Sequence, residues 1–195
     1  MKICLFGGTF DPPHIGHLMV AEKILKYYAF DKILFVPTEN PPHKEARKIS
    51  PIKDRLEMLR LLIKNKSKFA ISMEEVNCNG KSFSINTIRL TKSKMGIHKE
   101  NCFFLIGSDA LKSFHKWELA EKILIESNVL VVMRPGYIRI NAKPWVLDGI
   151  NIAPISSIKV SSKSIRKNIK ANREIENVVP KKVKNYIIKK NLYRE

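Results

Sequence analysis

Residues 2–17 of the chain read KICLFGGTFDPPHIGH. The apolar run before Gly7 is typical of a strand buried inside a sheet. Glycines at the end of such a strand let a phosphate approach the backbone, and the next helix supplies amide donors and partial positive charge. Because His14 and His17 are three residues apart around Gly16, both imidazoles can face one anion at the start of that helix. The stretch therefore predicts a phosphate or nucleotide site directly after the first strand.

Buried strands alternate with amphipathic helices along the rest of the chain. Strands are predicted at residues 2–7, 32–37, 69–76, 102–107, 129–133 and 151–155. Helices are predicted at residues 17–28, 51–65, 84–95, 119–127, 162–170 and 181–190. This alternation predicts an α/β fold, a doubly wound Rossmann-like parallel sheet with helices on both faces. Ligands of such sheets bind outside the carboxyl ends of the strands.

The length of the chain, 195 residues, predicts one domain spanning residues 1–195. Hydrophobic residues make up 44% of it, which is enough for a core and excludes a disordered or fibrous protein. A small helical segment, about residues 155–195, is expected to pack on this domain. It carries 12 basic and three acidic residues.

The net charge of +18 favours anionic ligands such as nucleotides, phosphates or nucleic acid. Lysines account for 27 of the 36 basic residues, which is equally compatible with a coding bias and a solvated surface. A basic nucleic-acid-binding module is the alternative of another class, and it predicts aromatic residues among the basic ones. The basic C-terminal segment has only Tyr186 and Tyr193, so we expect no specific nucleic-acid partner.

The three cysteines, Cys4, Cys78 and Cys102, are widely spaced. This spacing excludes a disulfide framework and a CxxC zinc site, and it favours the reducing cytoplasm. No apolar run approaches the ~20 residues that span a bilayer, so no membrane association is expected. A homo-oligomer is compatible with the sequence.

Four further motifs follow GTFDPPHIGH in a fixed order. They are PPHK (Pro41–Lys44), GSDALKSFHKW (Gly107–Trp117), MRPGY (Met133–Tyr137) and VSSKSIR (Val160–Arg166). With these five blocks the chain resembles the HIGH-motif nucleotidylyltransferases. Within them it resembles the bacterial nicotinate-nucleotide adenylyltransferases, over nearly its whole length.

The resemblance implies adenylyl transfer from ATP to nicotinate mononucleotide, giving nicotinate adenine dinucleotide and pyrophosphate in NAD biosynthesis; a nicotinamide-mononucleotide or phosphopantetheine adenylyltransferase is the alternative. It also implies that Mg²⁺ bridges the phosphates of ATP and that the protein has no metal site of its own. The implied catalytic residues are His14, His17, Lys44 and Arg166. The implied ATP-binding residues are Gly7, Gly8, Thr9, Phe10, His17, Gly107, Asp109, Ser161, Ser162 and Arg166. The implied mononucleotide-binding residues are Lys44, Ser84, Trp117 and Arg134.

Several of these residues have a plainer interpretation. Lys44 and Arg134 are compatible with solvated surface positions. Trp117 is compatible with a place in the core, and Asp109 with a helix cap. Asp11 is expected to hold the turn.

The chain departs from the pattern of the family in its later motifs. Lys163 stands where the SSTxIR motif has Thr, Ser84 and Asn86 stand where SYTIDT-like segments have Thr and Asp, and Glu118 replaces a frequent aromatic residue. These departures leave the choice between nicotinate and nicotinamide mononucleotide open.

Other enzyme families share parts of the motifs. Class I aminoacyl-tRNA synthetases have a HIGH sequence and a KMSKS loop similar to KVSSKS (Lys159–Ser164), but 195 residues leave no room for an anticodon-binding domain. Phosphopantetheine adenylyltransferases usually lack the histidine found here at position 14. Cytidylyltransferases end in a different loop.

Lys163 provides a test of the phosphate-binding loop. We expect Lys163→Thr to slow adenylyl transfer or to raise KM for ATP, because the lysine adds a cation where pyrophosphate leaves. The effect should shrink at high ionic strength, since salt screens an exposed charge. Steady-state kinetics across a salt series measure this, and kinetics identical to wild type at every ionic strength would mean that Lys163 faces only solvent.

Overall fold

The computed structural model describes residues 1–39, 49–76, 82–134, 142–155 and 158–194. Its strands are β1 (Ile3–Gly8), β2 (Lys32–Pro37), β3 (Phe69–Ile71), β4 (Cys102–Gly107), β5 (Asn128–Val132) and β6 (Ile150–Ile152). Its helices are α1 (Ile15–Tyr27), α2 (Ile52–Ile63), α3 (Ser84–Met95), α4 (Ser108–Leu111), α5 (Ala120–Glu126), α6 (Pro144–Asp148), α7 (Ser162–Lys170) and α8 (Lys181–Lys189). Single 3₁₀ turns lie at Lys99–Asn101 and Phe114–Lys116.

The six strands form one parallel sheet in the order β3-β2-β1-β4-β5-β6. β1 lies in the middle, where Ile3 is paired with Lys32 of β2 on one side and with Cys102 of β4 on the other. The order of the strands reverses between β1 and β4, which is the position where doubly wound sheets bind their ligands. The predicted fold class is confirmed.

Both faces of the sheet are covered, and the alternation of side chains along β1 shows this division. Cys4 and Phe6 point to a core shared with α1, α2, α7 and α8. Ile3 and Leu5 point to a second core shared with α3, α5 and α6. A strand that is apolar on both faces is typical of a parallel sheet between two helical layers.

Two strands differ from the predicted bounds, and two short helices were not predicted. The strand predicted at 69–76 ends at Ile71, and the chain then turns, with the amide of Val76 donating to the carbonyl of Met73. The last strand is 150–152 rather than 151–155, because Pro154 has no amide with which to continue the ladder. The helices α4 and α6 were not predicted, because four or five residues are too few to show a helical period.

The C-terminal helices belong to the same face as the first helix. α8 packs against α2, and its Val183 and Ile187 are buried in the shared core. α7 begins at a Ser161 cap, whose hydroxyl accepts the amide of Ser164 at 3.1 Å. In the described part of the chain, no helix combines the length and apolar character that a membrane crossing requires.

Candidate active site

A cleft of about 940 Å³ lies at the carboxyl ends of β1 and β4, where the strand order reverses. With one exception, every catalytic or binding residue that the resemblance implies lines this cleft. The exception is Lys44, which lies outside the described residues. The tertiary structure therefore brings together residues from four separate motifs of the sequence.

The two histidines of the first motif stack on each other. Their ring centroids are 3.7 Å apart and the planes differ by 24°. His14 immediately precedes α1, and its backbone amide donates to Nδ1 of His17 at 3.2 Å. Since Nδ1 of His17 accepts this bond, a neutral His17 carries its proton on Nε2 and can donate it to a ligand.

Burial keeps both imidazoles uncharged. His14 is 4% exposed, and its pKa falls to about 3, first because of burial and then because of the nearby cation of Arg134. The pKa of His17 also lies well below its usual value, because of burial, His14 and Arg134 in that order. The pair can thus offer hydrogen bonds to a phosphate at neutral pH without carrying charge.

Two glycines of the motif leave space for the aromatic rings of His14 and Phe10. A Cβ at Gly16 would lie 3.0 Å from the His14 imidazole, and a Cβ at Gly8 would lie 2.9 Å from the Phe10 ring. The Phe10 ring in turn contacts the edge of the His17 ring, with centroids 5.0 Å apart. The glycines of the motif therefore allow the close packing of the histidine pair, in addition to the approach of a phosphate.

The turn between β1 and α1 is held by a buried arginine. Phe10 has φ of 50°, a left-handed conformation that costs a non-glycine residue roughly 1–3 kcal/mol unless its surroundings impose it. Arg55 of α2, only 1% exposed, donates from Nη1 to the carbonyls of Thr9 at 2.9 Å and Thr38 at 2.8 Å. Its Nε donates to the carbonyl of Ser50 at 2.9 Å. Arg55 thereby joins the ends of β1 and β2.

The N-terminal turn of α7 closes the cleft from the other side. The hydroxyl of Ser162 donates to the carbonyl of Pro12 at 2.9 Å. Nη1 of Arg166 donates to the carbonyl of Asp11 at 2.6 Å. These two bonds place the positive end of the α7 dipole against the glycine-rich turn, where an anion is stabilised. Lys163 is exposed and also lines the cleft.

The resemblance assigned Asp109 and Arg134 to different substrates, but the structure joins them. Nη1 of Arg134 lies 2.7 Å from Oδ2 of Asp109 across the ends of β4 and β5, and both side chains are about half exposed. The backbone amide of Arg134 also donates to the hydroxyl of buried Ser108 at 3.3 Å. The ion pair therefore sits in the cleft itself, between the two predicted subsites.

The predicted mononucleotide end combines a helix start with an aromatic wall. Ser84 is the first residue of α3. Trp117 packs at 5.2 Å from Phe114 and 6.2 Å from Phe104, and one side of it faces the cleft. Trp117 thus touches the core and lines the cleft, and its contact with a pyridine ring stays a prediction. Glu118 is exposed at the same end.

Sequence reasoning missed Glu75, a buried polar residue that lines the cleft, and two buried polar residues that lie outside its lining, Arg55 and Ser108. Glu75, 3% exposed, accepts the hydroxyl of Thr87 at 3.1 Å, and burial raises its pKa. Its position in a turn was hidden by the strand predicted there. Ser108 could have been found, because the register that pairs Gly107 with Val132 brings the two following segments together.

Among the described residues, no three of His, Cys, Asp and Glu are grouped so that they could hold a metal ion. The positive groups around the glycine-rich turn suit phosphate oxygens instead.

The fold and the histidine pair define a class of protein, the nucleotidyltransferases with a Rossmann-like sheet. Residues 5–168 match the family model described as cytidylyltransferase-like. A probable nicotinate-nucleotide adenylyltransferase of Clostridium botulinum is 36% identical over 198 residues, which cover 98% of this chain and 97% of the relative. The nicotinate-nucleotide adenylyltransferase of Bacillus subtilis is 33% identical over 192 residues, 98% of each chain. The chain therefore belongs to the nicotinate-nucleotide adenylyltransferase family, which confirms the resemblance in the sequence.

A solved structure has the same fold. The nicotinic acid mononucleotide adenylyltransferase of Plasmodium falciparum, complexed with NaAD, superposes with a TM-score of 0.77 at 22% identity. The match covers 98% of this chain and 97% of the other.

The lowered pKa of His14 predicts how stability depends on pH. An unfolded histidine binds a proton below about pH 6.5, whereas folded His14 does so only near pH 3. Between these values the unfolded state binds more protons, so the free energy of unfolding should fall as the pH is lowered from 7 to 4. Denaturant unfolding at a series of pH values measures this slope.

We expect His14→Gln to flatten that slope, because the variant has no imidazole to protonate. The exposed His98 provides the matched control, and His98→Gln should leave the slope unchanged. Equal slopes for wild type and His14→Gln would contradict a neutral, buried His14.

Proposed function

We propose that this chain transfers the adenylyl group of ATP to nicotinate mononucleotide, giving nicotinate adenine dinucleotide and pyrophosphate. The observation that carries the proposal is the stacked, uncharged histidine pair at the strand reversal, facing a cleft with room for two nucleotides. The family membership supports the same reaction. We expect the reaction to take place in the cytoplasm, and a homo-oligomer remains compatible with the chain.

One end of the cleft suits the phosphates of ATP. Backbone amides at Gly8 and Thr9, together with the start of α7 at Ser161 and Ser162, surround a space where anionic oxygens are favoured. Gly7, Phe10, Gly107 and Asp109 line the adenosine side of the proposed site. A Cβ at Gly107 would meet nothing within 4 Å, so the backbone there is open to a ligand.

The other end suits a pyridine mononucleotide. Trp117 offers a flat face on which a pyridinium ring can stack, with a cation–π contribution. The positive end of the α3 dipole, at Ser84, favours the carboxylate of nicotinate over a neutral amide. Glu118 is exposed rather than buried against the ring site. We therefore expect its carboxylate to reduce the preference for nicotinate mononucleotide over nicotinamide mononucleotide without reversing that preference. We expect the Arg134 guanidinium to bind the phosphate of the mononucleotide.

The reaction is an in-line displacement that needs positioning and charge stabilisation rather than a covalent intermediate on the protein. A phosphate oxygen of the mononucleotide forms a bond with the α-phosphorus of ATP, and the bond to pyrophosphate breaks. Nε2–H of His17 donates to the α-phosphate, where charge develops, and His14 supports that ring by stacking. Arg166 and the proposed Lys44 neutralise the departing pyrophosphate. Mg²⁺ bound with ATP would neutralise charge on its phosphates, and we expect the ion to need few ligands from the protein.

Product analysis tests this function. The protein is incubated with Mg²⁺, ATP and one acceptor at a time: nicotinate mononucleotide, nicotinamide mononucleotide or phosphopantetheine. We expect pyrophosphate and a dinucleotide with both pyridine substrates, and a higher kcat/KM for nicotinate mononucleotide. Product with phosphopantetheine alone would contradict the proposal.

His17→Ala tests the role of the histidine pair. We expect kcat to fall ~10²-fold or more, the scale for loss of a preorganised donor, while KM for ATP changes much less. His98→Ala, at an exposed histidine outside the cleft, is the matched control and should keep the wild-type kcat. A wild-type kcat in His17→Ala would remove His17 from the mechanism.

A further inference from the structure

Asp11, in the turn that precedes the histidines, accepts hydrogen bonds from three other parts of the chain. It is 3% exposed. Its Oδ1 accepts the phenol of Tyr193 at 2.6 Å, and its Oδ2 accepts the backbone amide of Ser50 at 3.2 Å. Its carbonyl oxygen accepts Nη1 of Arg166 at 2.6 Å. Asp11 is therefore held by three segments that are far from it in sequence.

The donor on Oδ1 comes from the opposite end of the chain, 182 residues away. This donor, Tyr193, follows helix α8 in the chain. The buried side chains of Val183 and Ile187 hold α8 in the core beside α2. The phenol of Tyr186 in α8 donates to Oδ1 of Asp54 in α2 at 2.8 Å and so anchors the helix on α2, outside the glycine-rich turn. Two tyrosines of one segment thus donate to two carboxylates, and only one of these carboxylates belongs to the glycine-rich turn.

The backbone on both sides of the Tyr193–Asp11 hydrogen bond is in the left-handed region. Phe10 has φ of 50° and Tyr193 has φ of 66°. Residues with side chains adopt this conformation only where the surrounding structure imposes it. Because the Phe10 ring contacts the His17 ring, a change in the backbone at position 10 moves the catalytic imidazole.

We propose that Tyr193 is a positioning residue for adenylyl transfer, whose phenol holds Asp11 and thereby the turn that places His17 against the α-phosphate. The proposal rests on the proposed function. It gives the last turn of the chain a role in catalysis, although Tyr193 itself does not line the cleft. Burial and Asp11 raise the pKa of the phenol, so it remains a donor over the whole range in which the enzyme is assayed.

The chain offers a matched pair of variants. Tyr193→Phe and Tyr186→Phe each remove one hydroxyl that donates to a carboxylate, from the same C-terminal segment. A purely structural role predicts similar results for both, namely a lower melting temperature and an unchanged kcat. A positioning role predicts that Tyr193→Phe alone lowers kcat, by ~10-fold or more, because small displacements of a catalytic group have large effects on rate.

Separate measurement of KM and kcat makes the test more specific. We expect KM for nicotinate mononucleotide to stay within about twofold in Tyr193→Phe, because Ser84 and Trp117 lie on other elements. The side-chain NMR signals of His17 should shift in Tyr193→Phe and stay at their wild-type positions in Tyr186→Phe. Both variants are assayed well below their measured melting temperatures.

A double-mutant cycle that combines Tyr193→Phe with Asp11→Asn tests whether Tyr193 affects kcat through Asp11. If Tyr193 acts through Asp11, the losses in kcat are not additive, and the double variant is about as slow as the slower single variant. Additive losses, or equal kcat in Tyr193→Phe and Tyr186→Phe, would overturn the proposal. An inactive wild-type enzyme would instead overturn the proposed function, so the two failures are distinguishable.

Discussion

The carbonyl groups of Thr9, Asp11 and Pro12 lie partly buried in the turn beside the cleft, and none of the three belongs to a strand or helix. Carbonyls that are withdrawn from water need donors, and here the donors are side chains of Arg55, Arg166 and Ser162. These donors lie 46, 155 and 150 residues away from the groups they bind. The conformation of the turn is therefore a property of the whole fold, and the position of the histidine pair depends on it.

The same burial determines the chemistry of the histidines. Burial disfavours the charged imidazole and is the main cause of the lowered pKa values, and the nearby cation of Arg134 adds to this effect. The result is a pair of neutral rings with fixed orientation. A donor that is already oriented stabilises developing charge without the reorganisation that solvent requires. The features that lower the pKa of the histidines therefore also fix the ring geometry that the proposed reaction requires.

The regular part of this structure could be predicted from the sequence, because strand and helix periods are local. The central strands and longer helices were found within a few residues of their observed bounds, and the glycine-rich block was placed correctly between β1 and α1. Prediction failed where local pattern conflicts with position in the fold. Arg55 lies in an amphipathic helix and is almost fully buried, and Glu75 lies in a turn just after β3, where the sequence predicts that the strand continues.

The sequence by itself determined the class of fold, the location of the site where the strand order reverses, and the chemical nature of its ligands. It could do so because the order of the motifs and the alternation of strands and helices are local features of the chain. Only the tertiary structure decided how the site is held. It paired Asp109 with Arg134, neutralised the histidines by burial, and brought Tyr193 to Asp11. The physical reason is distance along the chain: a hydrogen bond across 182 residues follows from the packing of α8 on α2, which no local pattern encodes.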